Sequence, residues 1–338
     1  MKRCFALLAA VFLPIHDAQA QDYAVPINAI VEGQILSGFK ELRDASDELF
    51  DASQATCDVS GANLRDTYEV AFLSWAKVSH FRFGPTEELN RGFALAFWPD
   101  PRGKTSKTLR GLIAAGDAAV LEPDTFNAQS VAIRGFYALD YMLYENSLAD
   151  VGDADFRCAL MRAVTRDIKR TTTELHAGWQ AYAPELLQPT TDSIYRTEQE
   201  VTGALFNAVL TGMQFTSEMR LGRPLGTPDR PRPKRAEARR SGLSRDLTRE
   251  ALKGTVVLAK SLASGDAELV ERFERLLTRA ENDLAERTDP SFANVSDPIG
   301  HLRLESIKTT VDDIWRMAAL ELGPLLGVAA GFNSLDGD

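Results

Sequence analysis

From Phe156 to Tyr182 the chain repeats a hydrophobic stripe: Phe156, Leu160, Val164, Ile168, Thr171, Leu175, Trp179 and Tyr182 recur three or four residues apart. That spacing is the period of an α-helix with one apolar face. A helix of this length cannot bury its stripe alone, so it must pack against others. The same period recurs elsewhere. Ile35, Phe39, Leu42 and Leu49 fall within residues 28–53, and Leu64, Tyr68, Ala71, Trp75 and Val78 make a second stripe that Gly84-Pro85 stops. Residues 127–144 read as one more helix, and Ile194, Val201, Leu205, Ala208, Phe215 and Met219 as another. Three further helices follow residue 245, the last opening at Asp297-Pro298, a capping residue followed by proline at the first helical position. Strict alternation with β-branched enrichment is scarce. The expectation is an all-α chain of two helical-bundle halves.

Residues 220–245 interrupt the pattern with four prolines and nine basic side chains against only Asp229 and Glu237. This Pro/Arg-rich stretch reads as a linker. The expected organisation is a signal peptide over 1–20, an N-terminal bundle over 21–220, the linker over 221–244 and a C-terminal bundle over 245–338. A basic run of this kind suits phosphate or anionic lipid, or serves as a solvated connector.

The signal peptide rests on Lys2 and Arg3, the apolar run Cys4 to Leu13, Pro14, and Ala18-Gln19-Ala20 as a small-x-small cleavage pattern. Cleavage is expected after Ala20, delivering a soluble protein to the periplasm. No later run approaches the roughly 20 apolar residues of a membrane helix. The formal net charge of −10 argues against general nucleic-acid binding. Two cysteines, Cys57 and Cys158, survive cleavage, and in an oxidising compartment they are candidates for a disulfide, the alternative being two buried thiols.

Candidate chemistry is sparse. His80, His176 and His301 do not sit in HExxH, and no nucleophile elbow or phosphate-binding loop occurs. His301 and Glu305 lie four apart, but two groups do not fill a coordination shell. More informative is Gly135-Phe136-Tyr137-Ala138-Leu139-Asp140. A glycine inside a helix usually has a packing reason. Tyr137, Asp140 and Tyr144 share one helix face, and two phenols with a carboxylate suit a hard cation such as ferric iron. The alternative is a Tyr–Asp hydrogen bond beside a core stripe.

These blocks resemble the imelysin-like family, peptidase M75. The likeness rests on Trp75 with Phe81-Arg82-Phe83-Gly84-Pro85, on residues 97–103, on the Gly135–Asp140 helix, on residues 235–242 and on Gly331–Asp338. It implies an exported all-helical protein with a cleft between two halves, and a role in bacterial iron or haem acquisition beside iron-uptake membrane components. The family's site motif is GxHxxE. Gly135 matches its glycine, while Tyr137 stands at the histidine and Asp140 at the glutamate. The imidazole that suits zinc or ferrous iron is thus replaced. The resemblance with this departure implies a non-catalytic protein with iron as its candidate metal. An M75-type metallopeptidase and a helical interaction module without a metal site are the alternatives.

Overall fold

A computed structural model describes residues 23–287 and 289–328. The expected signal peptide and cleavage site and the Gly331–Asp338 block lie outside those residues. Among the described residues no β-strand forms, and one β-bridge pairs Thr227 with Arg230. The chain is all-α, as the periodicity predicts. No described helix is long and apolar enough to cross a membrane.

Helix α1 runs through Ala24–Ile30, a π-turn at Val31–Leu36, and Ser37–Ala55. It packs beside α2 (Ala62–Val78) and α5 (Ala154–Leu187), the helix of the long stripe. Between α2 and α5 in sequence come α3 (Lys104–Ala115) and α4 (Gly135–Tyr144), the latter resting on α5. After α5 come α6 (Glu198–Gln214, continued by Phe215–Gly222), α7 (Ser244–Leu262), α8 (Ala267–Arg287) and α9 (Pro298–Met317).

Local chemistry sets several helix ends. The Asp153 carboxylate accepts from the Phe156 amide, and the Thr197 hydroxyl from the Glu200 amide, each satisfying a donor that a helix start leaves open. Asp297 caps α9 ahead of Pro298, accepting from the Ile299 and Gly300 amides, as the sequence predicts.

Helix α7 ties the molecule together. It packs on α2 as well as on α6 and α8, so helices before and after residues 221–244 share one hydrophobic core. The closeness is built into Gly254, where a Cβ would stand 2.1 Å from the Lys77 carbonyl oxygen. Only glycine fits there.

Two expectations need correction. Residues 221–244 join the halves and are solvated only in part: residues 226–230, Lys234 and Arg235 are exposed, whereas Ala236, Glu237, Ala238 and Leu243 are buried. The reason is Glu237, whose carboxylate satisfies buried partners on both sides. Residues 127–144 are not one helix either. A 3-10 turn at Val131–Ile133 precedes α4, and Gly135 starts α4 with φ of +69°. That conformation favours glycine. A Cβ there would lie 2.2 Å from the Leu95 carbonyl oxygen and 2.5 Å from that of Ala94.

Candidate functional site

Helix α4 carries Tyr137 and Asp140 three residues apart, hence on one face, and both are buried. The Tyr137 phenol donates a hydrogen bond to Glu237 Oε1. The other oxygen, Oε2, accepts from Arg220 Nε at 2.9 Å. Arg220 also donates to Ser79 Oγ at 3.4 Å. Tyr68, from α2, donates to Asp140 Oδ1 at 3.2 Å. Four separate parts of the chain thus meet in one polar cluster: α2, α4, the end of α6 and the basic segment.

Burial sets the protonation of these groups. It pushes the Tyr137 phenol well above the ordinary phenol value, and the neighbouring Glu237 charge pushes the same way. Tyr68 is raised well above its ordinary value, first by burial and then by Asp140. Burial also raises Asp140, against hydrogen bonding from Ser241 and the Arg240 charge. The phenols therefore keep their protons at neutral pH and act as donors.

Tyr137 and Asp140 border a cleft of about 190 Å³ that Trp98, Tyr141 and the basic segment also line. Tyr144 does not line it. Its half-buried ring lies 6.0 Å from Tyr68, with the Arg65 guanidinium 4.6 Å above it, and burial pushes its phenol up to about 12. The sequence-predicted trio is therefore split: two members face the cleft and the third packs behind them.

Whether these residues suit iron follows from the same geometry. Ferric iron takes the ionised phenol, whereas Tyr137 holds its proton against Glu237. Both Glu237 oxygens are engaged, and Asp140 accepts from Tyr68. Among the described residues no three His, Cys, Asp or Glu side chains are placed to hold a metal ion. As they stand, Tyr137, Asp140 and Tyr144 do not form a ligand set for a bare ion.

The histidines are dispersed. His80 is buried with neither ring nitrogen hydrogen-bonded, and burial together with the Arg220 charge lowers its pKa to about 3. His176 Nδ1 lies 3.1 Å from an Arg43 nitrogen. His301 is buried while Glu305 is exposed, so that pair does not converge.

The remaining motif residues are structural. Trp75 and Pro85 are buried, and Gly84 has φ of +51°, with space for a Cβ closed by the Tyr182 ring at 3.0 Å. The turn they form is pinned to α5 by Trp179 Nε1 donating to Thr86 Oγ1 at 3.2 Å. Cys57 and Cys158 form a disulfide, with Cα atoms 5.3 Å apart.

Sequence reasoning missed Arg220, Tyr68 and the role of Glu237. One signal for Glu237 was visible: it is an isolated carboxylate in a basic run. Tyr68 was counted only as a stripe member, because nothing local marks a hydroxyl that reaches Asp140.

Comparisons with known proteins give the family and the fold. The family model for imelysin, peptidase M75, matches residues 35–314. The chain belongs to the imelysin family. No curated protein matches it in sequence. An imelysin-like protein from Psychrobacter arcticum 273-4 shares the fold with a TM-score of 0.77 at 21% identity, covering 92% of this chain and 97% of that one. A protein from Parabacteroides distasonis ATCC 8503, named "putative iron-regulated protein A precursor", aligns with a TM-score of 0.62 at 13% identity, covering 89% of this chain and 97% of its own. At these identities the two structures speak for the fold. In this member of the family the Tyr137 phenol is held against a carboxylate from the basic segment.

Proposed function

We propose that this chain is an exported, non-catalytic imelysin-like component of bacterial iron uptake, working through the cleft bordered by Tyr137 and Asp140. The observation that carries the reading is the placement of that pair, the family's motif positions, at the cleft wall. Membership of the imelysin family and a structural neighbour named for iron regulation support the same direction. The non-catalytic reading rests on chemistry at Tyr137. A peptidase of this type needs a metal that carries water and a general base beside it. Here the imidazole is replaced by a phenol that spends its proton on Glu237.

In this reading export places the protein in the periplasm, where its partners are iron-uptake membrane components. Iron reaches the cleft within a larger complex or with a partner, since the wall residues are already bonded to one another. Growth under iron limitation tests the proposal. Deleting the gene is expected to slow growth only when iron is scarce. The wild-type gene restores it, and a Tyr137→Phe, Asp140→Asn pair restores it in part. Deletion without effect under iron limitation overturns the reading. Chelator-sensitive cleavage of a peptide library by the purified protein overturns its non-catalytic part.

A further inference from the structure

The cleft has a second character that the Tyr137–Glu237 cluster does not use. Its lining includes Arg223, Lys234, Arg235, Arg239 and Arg240, facing only two carboxylates, Asp100 and Asp140. Those two are occupied. Asp100 accepts from the Lys104 and Thr105 amides at 2.9 and 2.8 Å, capping α3, and Asp140 accepts from Tyr68. Among the described residues Arg240 is the one of the five cations that is neutralised, by Glu145 at 2.7 Å. Arg223, Lys234, Arg235 and Arg239 make no ion pair and no side-chain hydrogen bond with a described residue.

This is unusual in a chain with a formal charge of −10, where carboxylates outnumber cations. Four unpaired cations gathered in one cleft repel one another, and such an arrangement persists where a counter-charge visits. The clearest mark is Arg223. Its Nε is buried without a partner, a donor whose desolvation is uncompensated in the free protein. Its guanidinium stands 5.7 Å above the Trp98 ring, which holds it at the cleft wall. At about 190 Å³ the space is below the roughly 300 Å³ at which drug-sized sites begin. Guanidinium groups offer paired N–H donors that match carboxylate and phosphate oxygens.

We propose that this cleft is a site for a compact polyanion whose carboxylate or phosphate oxygens are held by Arg223, Lys234, Arg235 and Arg239. Trp98 and Tyr141, which line the same cleft, supply its less polar part. The inference rests on the cleft being the protein's working site in iron uptake. It names what enters: a small anionic chelator, or iron already wrapped in one, rather than a bare cation, which these charges would repel.

Calorimetry on the purified mature protein tests this with citrate, ferric citrate and inorganic phosphate as probes, at low and at high salt. Citrate or ferric citrate is expected to bind with a micromolar Kd that weakens as salt rises. Phosphate binding without citrate assigns the site to phosphate oxygens and upholds the proposal. A Lys234→Gln, Arg235→Gln pair, both exposed positions, is expected to weaken binding at least tenfold while circular dichroism stays unchanged. Arg239→Gln serves as an independent second variant. No binding of any probe to the wild type, or undiminished binding by all these variants, overturns the proposal. Growth separates this from the underlying reading. Variants that lose anion binding yet fully restore iron-limited growth remove the iron role and leave the anion site. A deletion phenotype with no anion binding does the reverse.

Discussion

The buried layer behind Tyr137, an inner wall that does not itself line the cleft, and the basic outer wall that does are built from neighbouring residues and treat charge in opposite ways. Inside, Arg220 and Glu237 are ion-paired at 2.9 Å, their side chains 5% and 4% exposed, and Tyr137 fills the remaining carboxylate oxygen. Outside, Arg223 and Arg235 come from the same stretch of chain and pair with no carboxylate among the described residues. Burial explains the inner arrangement, since a buried charge must be paired and hydrogen-bonded. It does not explain the outer one, where Arg223 Nε is buried without a partner and Arg235 is exposed, in an acidic protein with carboxylates to spare. A closed network is what folding requires. An open one is what binding requires.

The largest effect expected from breaking this contrast is at Glu237. Glu237→Ala leaves Arg220 buried without its counter-ion and Tyr137 without its acceptor. Removing one partner of a buried pair costs about 3–5 kcal/mol. Denaturant unfolding at neutral pH measures it, and a loss below about 1 kcal/mol would mean that the inner network is not closed. Next comes Gly135→Ala. A left-handed conformation costs a non-glycine residue about 1–3 kcal/mol, and here the added methyl also meets two backbone carbonyls. A loss of at least about 2 kcal/mol is expected, with Tyr137 displaced. Unfolding and near-ultraviolet circular dichroism read the two parts.

These two residues also show what a sequence can reveal. The helices were legible because apolar side chains three and four apart admit little else, and Asp297-Pro298 announced a helix start by its cap chemistry. The face shared by Tyr137 and Asp140 was legible for the same reason. The partners were not. Tyr137 meets Glu237 across a separation of 100 residues, and nothing near either residue records that contact. Gly135 looked like a helix-interior glycine because sequence does not show the sign of φ. The basic run looked like a connector because its charges dominate its composition. Its function in the fold depends on the single glutamate that departs from that composition.

His80 sharpens the contrast from the inner side. Its folded pKa of about 3 lies below the ordinary 6.5, since burial and then the Arg220 charge disfavour the imidazolium. The native state therefore binds fewer protons than the unfolded one. Stability is fully present above about pH 6.5 and is lost as pH falls toward 3. At about 1.4 kcal/mol per unit, roughly 2 kcal/mol disappears between pH 7 and 5. His80→Leu replaces a ring whose nitrogens have no partners, so it is expected to be near neutral at pH 7 and to flatten this acid limb. Denaturation midpoints at pH 7, 6 and 5 decide it. An unchanged limb in the variant would place the acid sensitivity in other groups.

The smallest expected effect on stability belongs to the outer wall, and its smallness is informative. Lys234 and Arg235 are exposed and unpaired, so replacing both with glutamine removes no contact that folding uses. Such surface changes stay within about 0.5 kcal/mol. Relief of repulsion with Arg223, whose pKa is lowered by burial and then by the Arg235 charge, tends toward slight stabilisation. The gain should shrink as salt rises, because screening weakens repulsion between charges near the surface. Denaturation at low and high ionic strength therefore reads the field of the empty cleft without any ligand. A salt-dependent gain marks cations held together against their own repulsion. A clear loss of stability would mean that Lys234 and Arg235 support the fold, and the two walls would then differ in exposure rather than in purpose.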